Sequence, residues 1–165
     1  MTMDHTRYED GFIRDILRRA RTIAMVGASP NWVRPSYFAM KYLTGKGYRV
    51  IPVNPVAAGQ EILGETVYAS LAEVPGPFQM VDIFRNAEAA GAIVDEAIAL
   101  KDEKGIEIVW MQLGVVNPQA AARAEAAGLQ VVMDRCPKIE YGRLSGELSW
   151  GGINSGIISA KALKV

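Results

Sequence analysis

The chain has too little of several things to belong to whole classes of protein. It contains one cysteine, Cys136, so no intramolecular disulfide can form. It contains one histidine, His5, which rules out a histidine-rich metal cluster and places any Ser-His-Asp set far from the loops discussed below. Neither sign of charge is in excess: Lys plus Arg number 18 and Asp plus Glu number 18. A nucleic-acid binder normally shows a basic surplus, so that class is not expected. No stretch approaches the roughly 20 apolar residues of a membrane span, and Met1–His5 shows no apolar signal core. A cytoplasmic location away from the membrane is the expectation.

Repeats, low-complexity blocks and Pro/Ser-rich linkers are also missing. One domain over residues 1–165 is expected, and half of the residues are hydrophobic, enough for a core without disulfide or metal. Residues 8–21 read as an amphipathic helix, with Phe12, Ile13, Ile16 and Leu17 on one stripe. Thr22–Val26 is a short apolar run without alternation, the signature of a strand covered on both faces. Pro35 suits the first position of a following helix.

The pattern then recurs. Strands are predicted over 48–53, 80–84, 106–111 and 129–133, with helices after Asn86 and Asn117, and 60–74 fits a short excursion with one helical turn. This alternation predicts a Rossmann-like, doubly wound α/β fold with a mostly parallel five-stranded sheet and helices on both faces. Ligands of such sheets bind beyond the carboxyl ends of the strands, so the residues that follow each strand are the candidates.

In the first of these loops, Gly27 permits a tight turn and close backbone approach. Ser29 and Ser36 offer hydroxyls, and Pro35 opens a helix whose unpaired N–H groups attract phosphate. Arg34 adds a charge-assisted donor. An ordinary strand-to-helix connection is the alternative. The dinucleotide fingerprint is altered, with Ser29 and Trp32 in place of its later glycines. After strand two comes Val53-Asn54-Pro55, without the acidic residue that would hold a ribose diol. Phe84-Arg85 offers an apolar wall and a cation, and Gln112-Leu113-Gly114 an amide and bare backbone. Trp110 and Met111 read as core. Asp82 and Asp134 read as strand-end carboxylates serving backbone N–H groups or arginines, and His5 as an exposed residue on a mobile terminus.

Together with Val26-Gly27-Ala28-Ser29, Arg34-Pro35-Ser36, Pro52–Pro55, Asp82–Arg85, Trp110–Gly114 and Asp134–Glu140, the sequence resembles the CoA-binding domain family. These are stand-alone proteins similar to the CoA-binding domain of the succinyl-CoA synthetase α subunit. The resemblance implies coenzyme A, or an acyl-CoA, lying across the carboxyl edge of the sheet. Gly27, Ala28, Ser29, Arg34, Pro35 and Ser36 would hold phosphates. Val53, Asn54 and Pro55 would border the adenosine. Phe84, Arg85, Gln112, Leu113 and Gly114 would follow the rest of the ligand. It does not imply the synthetase reaction, whose histidine lies on a further domain. A binding or regulatory protein without catalytic residues is expected; an NAD(P)-dependent oxidoreductase or another nucleotide-binding enzyme is the alternative.

Cys136 is a candidate partner for the ligand's thiol, because Arg135 and Lys138 flank it and Pro137 can open a helix there; inert buried packing, the usual fate of a lone cysteine, is the alternative. The tail over 145–165 is rich in glycine but carries Trp150, Ile153, Ile157, Ile158 and Leu163. It reads as packing on its own domain or on a second copy in a homo-oligomer.

Overall fold

Five short strands carry the fold: β1 (Thr22–Val26), β2 (Arg49–Val53), β5 (Met80–Ile83), β6 (Ile108–Met111) and β7 (Gln130–Val132). In the computed structural model, which describes residues 3–146, they form one sheet in the order β2-β1-β5-β6-β7, every pairing parallel. A parallel ladder needs crossovers, and the helices supply them: α1 (Asp10–Arg19), α2 (Pro35–Gly45), α3 (Ala87–Lys104), α4 (Pro118–Ala126) and α5 (Pro137–Leu144). A small antiparallel pair, β3 (Glu61–Ile62) with β4 (Glu65–Thr66), and a single turn at Leu71–Glu73 fill the region read as an excursion.

Because the strands of the five-stranded sheet are buried on both sides, the core divides in two. Val81, Ile83, Val109, Met111 and Val131 face the layer of α3 and α4. Ile23, Met25, Met80, Ile108, Trp110 and Val132 face the layer of α1, α2 and α5. Trp110 and Met111 are fully buried, as expected.

The element ends differ from the sequence reading by one to two residues, for identifiable reasons. Ile106 is not a strand residue, since its N–H goes to Lys101 O and closes α3 around Gly105 at φ 72. Leu129 closes α4 in the same way, donating to Ala124 O. Met133 leaves the ladder because its N–H donates to the Tyr8 hydroxyl. At the start of the chain, α1 spans 10–19 rather than 8–21. Tyr8 is held by β7, and the N–H groups of Arg21 and Thr22 donate to Gln79 Oε1 at 3.1 and 2.9 Å. No helix among the described residues is long and apolar enough to cross a membrane. The tail reading falls almost wholly on 147–165, outside the described residues.

Candidate functional site

The strand order reverses between β1 and β5: from β1 the chain moves outward to β2, then returns to β5 on the other side. At such a switch point the two following connections run apart and open a crevice. Here those connections are 27–34 and 84–86.

Gly27 shapes the crevice floor. It sits at φ 91, and a Cβ there would lie 2.3 Å from Phe84 O. Only glycine lets the two strand ends approach this closely. The backbone ties the third strand end in, because Gly27 N donates to Val53 O at 2.8 Å and Phe84 N to Val26 O at 2.8 Å. The loop is then braced side chain by side chain. Ser29 N donates to Ser36 Oγ at 3.1 Å, and Asn31 N to Ser29 Oγ at 3.1 Å. Asn31 Oδ1 accepts from Val33 N. The Asn54 side chain spans two loops: Nδ2 donates to Ala28 O at 2.9 Å, and Oδ1 accepts from Val56 N at 3.0 Å. Asn54 therefore locks the loops after β1 and β2 together, and one donor and one acceptor are committed to that task.

The helix ends differ between the two layers. On one side, Asn86 and Asn117 cap α3 and α4, accepting from Ala89 N at 2.8 Å and Ala120 N at 3.0 Å. On the other side, α2 and α5 have no side-chain cap; Arg34 and Cys136 occupy their cap positions. The positive dipole end of α2 faces the switch-point crevice, with the Tyr37 and Phe38 N–H groups turned back to Arg34 O at 3.0 and 3.4 Å. Arg34 and Arg85 are exposed beside it, and neither is ion-paired among the described residues.

The sheet order sets the remaining candidates in a row. From one side run Val53-Asn54-Pro55, Gly27–Ser29, Phe84-Arg85, Gln112–Gly114 and Asp134–Cys136. Four strand spacings make this row about 19 Å long. Gln112 N donates to Ile83 O at 3.2 Å, and Asp134 Oδ1 accepts from Gly114 N at 2.8 Å. Asp134 thus serves a backbone N–H, as expected, and does so from φ 58.

Three sequence expectations are corrected. Asp82 does not meet an N–H or an arginine: it is completely buried on β5, and both carboxylate oxygens lack a partner among the described residues. Burial pushes its carboxyl well above the usual range, so the neutral acid is the favoured form. His5 is not exposed on a mobile end. Its side chain is 8% exposed, with Nδ1 2.6 Å from the Tyr8 hydroxyl and Nε2 3.2 Å from Glu125 Oε1. Burial raises the Tyr8 hydroxyl to about 12. These contacts pin the N-terminal segment to α4 and β7. Gln112, expected to present its amide, is instead buried, and its Oε1 lacks a partner.

The sequence reading named Leu113 but passed over the rest of an apolar rim. Trp32 (68% exposed), Val33, Val56 and Ile139 stand exposed with it around the carboxyl edge. Their common feature is position just after a strand, or in the first turn of the helix that follows, a signal legible once the strands are placed. Backbone N–H groups, arginines and exposed apolar side chains on one edge suit a long ligand with anionic and apolar parts.

Comparison with known proteins identifies relatives that share the fold. Residues 21–142 match the profile of a protein family described as "CoA binding domain". The uncharacterized protein YneT of Bacillus subtilis (strain 168) is 35% identical over 129 residues, which are 78% of this chain and 91% of its own. A hypothetical protein from Pyrococcus horikoshii OT3 has a solved structure with a TM-score of 0.77 and 39% identity. The match covers 86% of this chain and 99% of that one. The structure of cell-free ID.343 from Thermus thermophilus gives a TM-score of 0.77 and 37% identity, covering 83% of this chain and 99% of that one.

Proposed function

The chain belongs to the CoA binding domain family, and from that premise we propose that it binds coenzyme A, free or acylated, across the carboxyl edge of its sheet. The observation that carries this reading is the Gly27 approach to Phe84, which opens a narrow crevice at the strand-order switch under the uncapped end of α2. Phosphate groups would sit against the Gly27–Ser29 backbone and the first turn at Pro35-Ser36, with Arg34 and Arg85 as counter-charges. Val53, Asn54 and Pro55 would border the adenosine, Asn54 chiefly by holding the loop. The pantetheine arm would pass Phe84 toward Leu113 and Gly114, with Gln112 supporting from beneath.

The role is binding rather than turnover. His5, the chain's one histidine, is engaged with Tyr8 and Glu125. The edge itself offers donors and apolar surface in place of an acid–base pair. A lone thiol suits the reducing cytoplasm. Cys136 stands at the cap position of α5 at the far end of the row, where it is buried at 7% exposure, and would meet the ligand's sulfur once that end of the row opens. In that step the Cys136 thiolate attacks a coenzyme A disulfide, forming a mixed disulfide and releasing one coenzyme A thiolate.

Titration calorimetry with coenzyme A, NAD and NADP at equal concentration tests the reading. Binding of coenzyme A in preference to both dinucleotides is expected; binding of NAD or NADP alone would replace it with the oxidoreductase alternative. Intact mass after incubation with coenzyme A disulfide tests the thiol step. A reductant-sensitive adduct that is lost in Cys136→Ser is expected.

A further inference from the structure

Among the described residues, the buried polar side chains are Ser36, Asp82, Gln112 and Glu140. Two of them serve the protein itself: Ser36 accepts from Ser29 N, and Glu140 holds Arg143. The other two do not. Asp82 Oδ1 and Oδ2 and Gln112 Oε1 are the buried side-chain polar atoms without a hydrogen-bond partner among the described residues.

The sheet register brings these atoms to one place. Asp82 stands opposite Trp110, and Gln112 N donates to Ile83 O at 3.2 Å, which carries the β5–β6 ladder one residue further. Met80 and Phe84 on one chain segment, and Ile108 and Trp110 on the other, pack in the layer of α1, α2 and α5. Side chains alternate along a strand, so Asp82 and Gln112 belong to that same face, as diagonal neighbours at its carboxyl end. With strands about 4.8 Å apart and two residues rising about 6.6 Å, their Cα atoms lie about 8 Å apart. Both side chains leave the sheet in the same direction, so a group that joins their ends must span a similar length. One water, with two hydrogen bonds of about 2.8 Å each, spans at most about 5.6 Å. A secondary amide that accepts at its oxygen and donates at its nitrogen spans about 8 Å. The donor count agrees with the length. Burial favours the neutral carboxyl of Asp82, which offers an O–H, while Gln112 Oε1 offers only lone pairs.

We propose that Asp82 and Gln112 together seat one uncharged amide of the bound ligand, the Asp82 carboxyl donating to its carbonyl and Gln112 Oε1 accepting from its N–H. This seat rests on the coenzyme A reading, in which the amide belongs to the pantetheine arm. Gln112, 8% exposed, is the member nearer the edge, and Asp82 is the deeper one. Phe84, half-buried and two residues beyond Asp82, stands between Asp82 and the edge, so the arm reaches the pair by turning that ring aside. A ligand with charge at this point is rejected, because the walls are Trp110 and Met25. Asp82 is thereby a binding residue for the arm, and the pair fixes where along the row the arm must lie.

Titration calorimetry compares coenzyme A with adenosine 3′,5′-bisphosphate, which lacks the arm, on the parent, Asp82→Leu, Gln112→Leu and the double variant. Each single variant is expected to weaken coenzyme A binding roughly tenfold and to leave the bisphosphate unmoved. The double variant should lose little more than either single one, because both changes break the same seat. Asp82→Asn, which keeps a donor and an acceptor, should recover most of the loss. Coenzyme A bound by both leucine variants as tightly as by the parent would overturn the seat and leave the coenzyme A reading standing; the pair would then serve internal water. Equal weakening of coenzyme A and the bisphosphate would also overturn the seat, by showing a general disturbance of the sheet edge. A parent that binds neither molecule would overturn the seat and the coenzyme A reading together. If Asp82→Leu does not fold, the split between the two ligands in Gln112→Leu decides.

Discussion

At the scale of single residues, the sharpest departure from ordinary packing is Asp82. A carboxyl buried without a partner is costly when charged and tolerable when neutral. Its folded-state value is raised above that of the free acid. The folded protein therefore holds a proton that the unfolded chain releases. Stability is greatest below the free-acid value, falls as pH rises above it, and levels off beyond the folded-state value. Asp82→Asn removes this dependence. In urea titrations the variant should gain on the parent by about 1.4 kcal/mol per pH unit within that window, and by nothing below it. An equal gap at pH 3 and pH 7 would show that Asp82 is charged in the fold. Arg34 is the opposite kind of residue, exposed and without an ion-pair partner among the described residues. Arg34→Ala should leave the urea midpoint unchanged and weaken coenzyme A binding by roughly 1.5–3 kcal/mol, measured by calorimetry. Unchanged affinity would remove Arg34 from the site. The sequence could place Arg34 because a cation between strand and helix speaks for itself. It could not show that Asp82 lacks a partner, since that depends on Met25 and Trp110 standing beside it in register.

Between elements, the decisive contact is Gly27 against Phe84. The left-handed backbone disfavours any side chain, and a Cβ has backbone on the facing strand end where it would need space. Gly27→Ala should cost about 2 kcal/mol or more in urea denaturation and should part β1 from β5 at their carboxyl ends. Coenzyme A affinity should fall even under conditions where the variant stays folded. A stable variant with full affinity would mean that the close approach is not needed for the site. The element pattern was largely readable: each of the five parallel strands falls where a short apolar run ends in a turn residue. The boundaries were not, because residues 106, 129 and 133 have strand-like side chains but give their N–H groups to helix closures or to Tyr8. The segment from α5 onward was the least legible, since Pro137–Leu144 has no clear apolar period and is held by Trp110 Nε1 donating to Arg135 O and by Arg143 reaching Asp10. Capping gave a further clue at this scale. Asn86 was readable as a cap, whereas the missing caps of α2 and α5 acquire meaning only once the sheet places both ends on one edge.

Across the whole molecule, the proposed site is a row of strand ends rather than a pocket within one element. Each segment is held by its neighbours: Gly27 to Val53, Asn54 to Ala28, Phe84 to Val26, Gln112 to Ile83, and Gly114 to Asp134. A ligand lying along the row would contact loops belonging to all the central strands at once. Its binding energy then opposes separation of any of them, and the native state gains RT ln(1 + [L]/Kd). At about 100 times Kd that gain is about 2.7 kcal/mol, which for a domain of this size raises the melting temperature by roughly 5–11 °C. Fragments of the ligand distinguish a row from a single hot spot. An adenosine 3′,5′-bisphosphate should slow hydrogen exchange only in the loops after β1 and β2 and at the start of α2. Pantetheine should act, more weakly, on 84–86 and 112–114. Coenzyme A should protect both sets together and raise the melting temperature by more than the two fragments combined, because one molecule loses its translational freedom once rather than twice. If coenzyme A protected only the loop after β1, the ligand would be anchored at the switch point alone, and residues 112–114 would drop out of the site.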